Sequence, residues 1–387
     1  MSTIGNVIET VFDNVLYAGR LNRSTKVTIE DVAAEAKVSI STVSRVVNGR
    51  YGVAPATDAR VRAVIADLGY EASLVARSLR NHRTNVLGVV VTDFEPFSAE
   101  LLKGAARFIR GTDYELIVYS GVRHADYEPG WEGRYLSRLS GTLTDGILIV
   151  TPTVVDIPGS SPVVAVDPHL GPSRLPTVDS QNFEGAVTAT RHLLELGHRR
   201  IGFIAGRPDL ESARLRQQGF RSALDQSSID FDSELLKVGK YTAESAEGPA
   251  TELLRQDDPP TAIFAANDVM AIRAMEVARG LGLRVPEDVS IIGFDNIPES
   301  ALTQPPLTTI DQSIQQMGYE AARLLVELIA NPDQAPQHIS VPTRLVERQT
   351  CRAIGSVSTR TWRKAREART AEGGTAGTIG NDEGGGK

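Results

Sequence analysis

Two sets of side chains in this 387-residue chain are of the types that recognise other molecules. The first is a short run, Ser39, Ile40, Ser41, Thr42, Ser44, Arg45 and Asn48, in which hydroxyls surround one guanidinium. Presented on one face of a helix, such a run suits the major groove of DNA, where Arg45 can donate two bonds to guanine. The second set is scattered and becomes visible only when strands are marked. Asp167 follows VVAV, Asn267 follows AIFAA, Asp295 follows SIIGF, and Ser212, Arg214 and Arg216 open a helix in SARLRQQGF. Arg, Asn and Asp together fit a polyol, since each hydroxyl donates to a carboxylate and accepts from a guanidinium or amide.

Three short helices are predicted to position the first set. Thr28 and Asp31 make a capping box ahead of Ile29, Val32, Ala33 and Ala36, which recur at helical spacing. A turn at Lys37 and Val38 follows, Ser39 serves as the N-cap of a second helix, and Val43, Val46 and Val47 are expected to face inward. A third helix starts near residues 55–57, is expected to bury Val61, Val64, Ile65 and Leu68, and stops at Gly69. The result is an all-α helix-turn-helix head. Between residues 24 and 83 nine Lys and Arg face six Asp and Glu, a balance of +3, while the whole chain carries −7 and the remainder therefore −10. A basic head on an acidic body is the asymmetry expected when one end meets phosphates.

The second set needs a different scaffold. VLGVVV, YELIVY, GILIV, PVVAVD, RIGFIAG, TAIFAAND and DVSIIGFD read as buried parallel strands. Helices at 99–109, 184–196, 210–225, 243–254, 268–281 and 314–329 alternate with them. That alternation predicts doubly wound α/β sheets, enough for two rather than one, with ligands at the carboxyl ends of the strands. Asp268 reads as a helix cap. His192 and His198 are six apart, off a shared helix face, so no zinc site is expected, and His198 reads as a helix-end residue near the negative end of the macrodipole.

TVSRVVNG, the LGY ahead of the next segment and VARSLR after it resemble the lactose-repressor and galactose-repressor (LacI/GalR) family of bacterial transcription factors, and the likeness runs to Cys351. The resemblance implies a two-lobed, periplasmic-binding-protein-like α/β body with two parallel sheets. It places one lobe at 85–179 plus about 309–340 and the other at 180–308 plus about 341–351, after a head at 27–71 and a hinge helix and linker at 72–84. It also implies that residues matching Ile40, Ser41 and Arg45 touch bases, and that Leu79 is a wedge pushed through the minor groove by the hinge helix. Thr28, Ser39, Thr42, Ser44, Asn48, Arg77 and Arg80 complete the expected DNA contacts. Residues matching Arg216, Asn267 and Asp295 bind a small effector in the family, often joined by those matching Asp93 and Gln312. Asp167 and Ser212 belong to the same candidate set, with Phe94, Phe97 and Trp131 as rings that could stack on a sugar face. Two positions depart from the family pattern in the head: Lys37 stands where the turn often has Gly, and Ala72 where the family usually has Pro. A third is Val150, which stands where some members carry a polar sugar contact.

A ligand-controlled repressor is therefore the leading reading. The alternatives are an enzyme on the same two-lobed scaffold and a transport-type sugar-binding protein. No phosphate loop, G-x-S-x-G elbow or H-E-x-x-H is present for the enzyme, and no cofactor or metal is expected. Residues 6–19 are interrupted by Glu9 and Asp13, unlike an export signal, and no run spans a membrane, so the chain is expected in the cytoplasm. Cys351, the single cysteine, excludes an internal disulfide and reads as an inert thiol. Residues 1–26 read as an extension and 352–387 as a disordered tail. With no leucine heptad there, a homodimer on palindromic operator DNA is expected, its effector a sugar or, as elsewhere in the family, a purine or nucleoside.

Overall fold

The computed structural model describes residues 27–47, 49–70, 83–121, 132–140, 143–153, 161–170 and 175–354. The expected sites Asn48, Arg77, Leu79, Arg80 and Trp131, the N-terminal extension and residues 355–387 of the tail lie outside them; residues 352–354, expected in the disordered tail, are instead tied to the body, the Ile354 N–H donating to the Leu196 carbonyl at 2.8 Å. By chain contacts the molecule divides at residue 83 into the head and the body.

In the head, the capping box forms as the sequence requires. Thr28 Oγ1 accepts from the Asp31 N–H at 3.3 Å, and the Thr28 N–H donates to Asp31 Oδ2 at 2.8 Å, opening α1 (Ile29–Glu35). These bonds hold the Asp31 carboxyl below its ordinary range. Lys37 then turns the chain at φ +54°, a left-handed conformation that glycine adopts without steric cost, which accounts for the family preference at this turn. Ser39 caps α2 (Ile40–Val47) by accepting from the Thr42 N–H at 3.2 Å. Pro55 is the first residue of α3 (Pro55–Leu68), which ends on Gly69 at φ +61°.

Val32, Ala33, Ala36, Val43, Val46 and Val61 form the small core, with Val64 and Ile65 packed against it. Two expected core residues are not in it. Val47 is 38 % exposed because Val43 and Val46 already define the buried arc and the next residue turns 100° beyond it. Leu68, the last helical residue of α3, is exposed where the helix runs past the core.

The body contains two parallel sheets. The first has strand order β11-β5-β4-β3-β1-β2, from β1 (Val86–Val91), β2 (Glu115–Ser120), β3 (Gly146–Val150), β4 (Val163–Val166), β5 (Thr177–Ser180) and β11 (His338–Val341). The second runs β7-β6-β8-β9, from β6 (Ile201–Ala205), β7 (Leu236–Val238), β8 (Ala262–Ala265) and β9 (Ser290–Ile292). An antiparallel pair, β10 (Thr309–Asp311) with β12 (Arg344–Val346), pairs Ile310 with Leu345. Strands β1, β3, β4, β6, β8 and β9 are buried along their whole length, the condition that gives a continuous apolar run.

Helices α4 (Pro96–Ile109), α5 (Glu132–Leu139) and α10 (Ile314–Ala330) serve the first sheet, and α6 (Asn182–Glu195), α7 (Glu211–Gln226), α8 (Ala243–Leu254) and α9 (Asp268–Gly280) the second. α4 and α10 touch backbone to backbone. A Cβ on Gly104 would fall on the Gln315 carbonyl and one on Gly318 on the Leu101 carbonyl, so only glycine permits this approach. In the second lobe Phe203 stacks on Phe220 at 4.8 Å and meets Phe264 edge-on at 5.0 Å, giving that core an aromatic centre.

His198 stands at the end of α6, its N–H donating to the Leu193 carbonyl at 3.1 Å, and its side chain is buried. It sits between Thr261 Oγ1 at 2.9 Å, Ser290 Oγ at 3.1 Å and the Arg352 carbonyl at 3.2 Å, and burial pushes its pKa down to about 4. The expected place at the helix end holds, but a neutral imidazole carries no charge to set against the dipole. Burial also raises the Cys351 thiol to about 12, which leaves it unreactive.

Candidate functional site

A cavity of about 250 Å³ opens between the two lobes, and its polar lining comes from segments that follow strands. Asp93 follows β1, Thr151 and Thr153 follow β3, Asp167 follows β4, Tyr241 follows β7, Asn267 follows β8, Asp295 follows β9 and Gln312 follows β10. In parallel strands the carboxyl ends of one sheet all face one way, so these residues converge although up to 219 positions separate them. The turns are tight: Thr151 at φ +48°, Asp167 at φ +48° and Asp295 at φ +118° take conformations that side-chain-bearing residues rarely adopt.

Arg216 organises the floor. It is 4 % exposed. Its Nε donates to Asn182 Oδ1 at 2.8 Å, Nη1 to the Ala266 carbonyl at 2.5 Å and to Asp295 Oδ1 at 3.3 Å, and Nη2 to Gln312 Oε1 at 3.3 Å. The guanidinium lies 3.8 Å over the Phe294 ring. Four of its five N–H groups thus serve the protein, and one remains for a ligand. Gln312 Nε2 returns a bond to Asp295 Oδ1 at 2.5 Å, and Gln312 Oε1 accepts from Ser180 Oγ at 2.9 Å, which carries the network into the first lobe. Ser212 Oγ donates to Asp167 Oδ2 at 3.1 Å, a second bond across the cleft.

Asn267, not Asp268, caps α9: its Oδ1 accepts from the Met270 N–H at 3.0 Å. Asp268 turns inward to accept from Thr309 Oγ1 at 2.5 Å and the Ile297 N–H at 2.9 Å, and burial raises it to about 7. The sequence assigned the cap to the wrong neighbour because both types cap well and their order alone does not separate them.

Carboxylates in the cavity are held toward their neutral forms. Burial raises Asp167 to about 6 against the opposing Arg216 charge, raises Asp295 well above its ordinary value, and raises Glu95 to about 7 with help from Asp93. A protonated or half-protonated carboxyl both donates and accepts, as a hydroxylated ligand requires. For Glu95 the folded-state pKa exceeds the unfolded value, so between about pH 4.5 and 7 folding retains a proton that the unfolded chain releases. Stability from this group is present below the window and lost as pH rises through it. Glu95→Gln is therefore expected to match the parent Tm near pH 4.5 and exceed it by a few degrees above pH 7; a pH-independent difference would refute the assignment.

The cavity brings together Asp93, Phe97, Asp167, Ser212, Arg216, Asn267, Asp295 and Gln312. Phe94, in the loop that precedes α4, is absent from its lining and is 62 % exposed. The sequence reading missed Glu95, His169 and Tyr241. Tyr241 follows β7, a three-residue strand without a readable period, so nothing marked it as a strand-end residue. Its hydroxyl is buried near Ser212, and burial raises its pKa to about 12. His169, beside Asp209 at 3.4 Å, is pushed down to about 4 by burial and so is neutral.

In the head, Ile40, Ser41 and Arg45 are exposed along α2, and Thr42 and Ser44 are half-buried. Ser39 Oγ is 2.8 Å from Ser41 Oγ and 2.9 Å from Thr42 Oγ1, so its hydroxyl is engaged in the cap, as Thr28 is in its own.

Comparison with known proteins decides what carries these two sites. Residues 28–73 match bacterial regulatory proteins of the lacI family, and residues 190–351 match the periplasmic binding protein-like domain. The HTH-type transcriptional repressor PurR of Haemophilus influenzae (strain PittEE) is 35 % identical over 339 residues, covering 84 % of this chain and 99 % of that protein. The chain belongs to the LacI family. Among solved structures, the complex of the transcriptional regulator CelR with cellobiose is 34 % identical, with a TM-score of 0.63 over 84 % of this chain and 99 % of that one. The lac repressor dimer bound to operator and the anti-inducer ONPF is 27 % identical, with a TM-score of 0.71 over 85 % of this chain and 100 % of that one. This LacI-family chain is accordingly a DNA-binding transcriptional regulator rather than an enzyme, with a helix-turn-helix head and a two-lobed body that takes a small-molecule effector. No helix among the described residues is long and apolar enough to cross a membrane.

Proposed function

We propose that this protein is a homodimeric repressor of a palindromic operator, released when a sugar closes the two lobes. The observation that carries the ligand class is the Arg216, Asp295 and Gln312 network opening on carboxylates held near neutrality, with Phe97 and Tyr241 as apolar walls. Asp93, Asp167, Ser212 and Asn267 complete the polar contacts. A polyol pairs each hydroxyl with such groups and lays its C–H face on a ring, whereas an anionic ligand meets four acidic side chains, Asp93, Glu95, Asp167 and Asp295. The solved complex of the relative CelR with cellobiose supports the same class. We take the lobes as 85–179 with about 309–340 and 180–308 with about 341–351; β11 in the first sheet and the packing of α10 against β3 and β4 support the return of the chain to the first lobe, while Ile310 of β10 packs in the second-lobe core and moves that crossing a few residues later. Ser39, Thr42, Ser44, Asn48, Arg77 and Arg80 act as supporting DNA contacts around Ile40, Ser41 and Arg45, with Leu79 as the hinge wedge.

A thermal-shift screen of neutral sugars on the full chain identifies the effector: at one hundred times its Kd a ligand adds about 2.7 kcal/mol, roughly 5–10 °C in Tm. Operator affinity is then measured with and without the hit, with an expected weakening of about 5- to 150-fold. A strengthening would reverse the sign to corepression, and no change would remove the allosteric reading.

A further inference from the structure

Tyr51 is 101 % exposed, the most exposed large apolar side chain among the described residues. A lone surface aromatic by itself signals nothing. What distinguishes Tyr51 is its placement. It sits in the turn that leaves α2, between Gly49 at φ +60° and Gly52 at φ +101°, and the Arg50 N–H closes that turn back onto the Arg45 carbonyl at 2.9 Å. A Cβ on Gly52 would lie 3.8 Å from Arg45 Nη1, so the Tyr51–Gly52 backbone passes beside the Arg45 guanidinium. Both glycines use left-handed angles that larger residues resist, and the turn thereby holds one aromatic ring at the end of the reading helix.

The surrounding charge selects the partner. No Asp or Glu lies between Glu35 and Asp58, while Lys37, Arg45 and Arg50 do. All three of these basic residues are exposed. Ile40 and Val47, seven residues apart and hence on one edge of α2, are also exposed, at 45 % and 38 %. An apolar edge inside an acid-free basic segment fits a polyanion that carries an apolar feature. In the major groove that feature is the C5 methyl of thymine, which aromatic and aliphatic side chains contact.

We propose that the Tyr51 ring enters the major groove beside Arg45 and reads a thymine through its methyl group. This rests on the head binding its operator through α2. The ring contributes contact area and the neighbouring guanidinium supplies the bonds to the adjacent base, so the pair reads two successive positions of each half-site.

The test is a double cycle on the full chain. Binding-site selection with the wild type gives the operator, and each thymine in a half-site is then replaced in turn by deoxyuridine, which deletes only the methyl group. One position is expected to weaken wild-type binding by about fourfold per half-site, the value of one buried methyl-sized group. Tyr51→Ala should bind the unmodified operator about as weakly and show no further loss with deoxyuridine there, while Tyr51→Phe keeps the discrimination. Both variants should retain the wild-type Tm. If the losses from Tyr51→Ala and deoxyuridine add at every position, or if Tyr51→Ala lowers affinity evenly for all sequences, the ring lies on the sugar-phosphate backbone and the proposal fails. A wild type that selects no sequence at all would instead overturn the repressor reading.

Discussion

Arg216→Ala is expected to lower the stability of the body by about 3–5 kcal/mol, because it removes the buried cation that offsets the desolvation of Asp295, whose carboxyl must then take up a proton to stay in the cavity floor. The substitution also removes the Arg216 donors from the Ala266 carbonyl and the Asn182 amide oxygen, leaves Gln312 Oε1 with Ser180 alone, and removes the guanidinium from the Phe294 ring. Arg216 therefore does more than meet a ligand: four of its donors are spent inside the protein. Urea unfolding of the full chain measures the effect. The double variant Arg216→Met with Asp295→Asn should recover part of the loss, since neither charge is then stranded. A single variant within about 1 kcal/mol of wild type would mean that water or a rearranged Gln312 replaces the pair, and the floor of the cleft would have to be redrawn.

Arg45→Ala is expected to produce the largest defect in DNA binding. Each lost bidentate base contact costs about 1–3 kcal/mol, and in a dimer reading two half-sites the total reaches roughly thirtyfold to more than ten-thousandfold in affinity. The loss should be confined to one symmetric operator position, with base preference relaxed there and retained elsewhere. Arg50→Ala supplies the contrast: a phosphate contact lowers affinity evenly across sequences and reduces the salt slope by about one unit. Should Arg45→Ala retain wild-type preference at every position, α2 is not the helix that enters the groove.

Much of the head was legible because its determinants are local. The Thr28 and Asp31 box, the Ser39 cap, Pro55 at a helix start and Gly69 at a helix end each act within four residues, and each appears where the residue types require it. The helix-turn-helix and two-lobed α/β architecture followed from such signals together with the resemblance. Val47 and Leu68 show the limit, since their burial depends on how far a three-helix core extends and not on apolar character.

In the body, apolar runs long enough to be buried on both faces were readable, whereas β5, β7, β10, β11 and β12 were not. Their three or four residues carry no period, and they form because a neighbouring strand offers its hydrogen bonds. Tyr241 was lost with β7. By itself the sequence determined the reading helix and its cap, the alternating scaffold, and Asp167, Asn267 and Asp295 as strand-end groups. Only the tertiary structure decided that Asp268 anchors a loop while Asn267 caps, that His198 is a neutral core residue, and that Arg216 spends four donors internally. Those outcomes depend on burial and on partners up to 154 residues apart, in the case of His198 and Arg352, and separation of that order leaves no trace in local spacing.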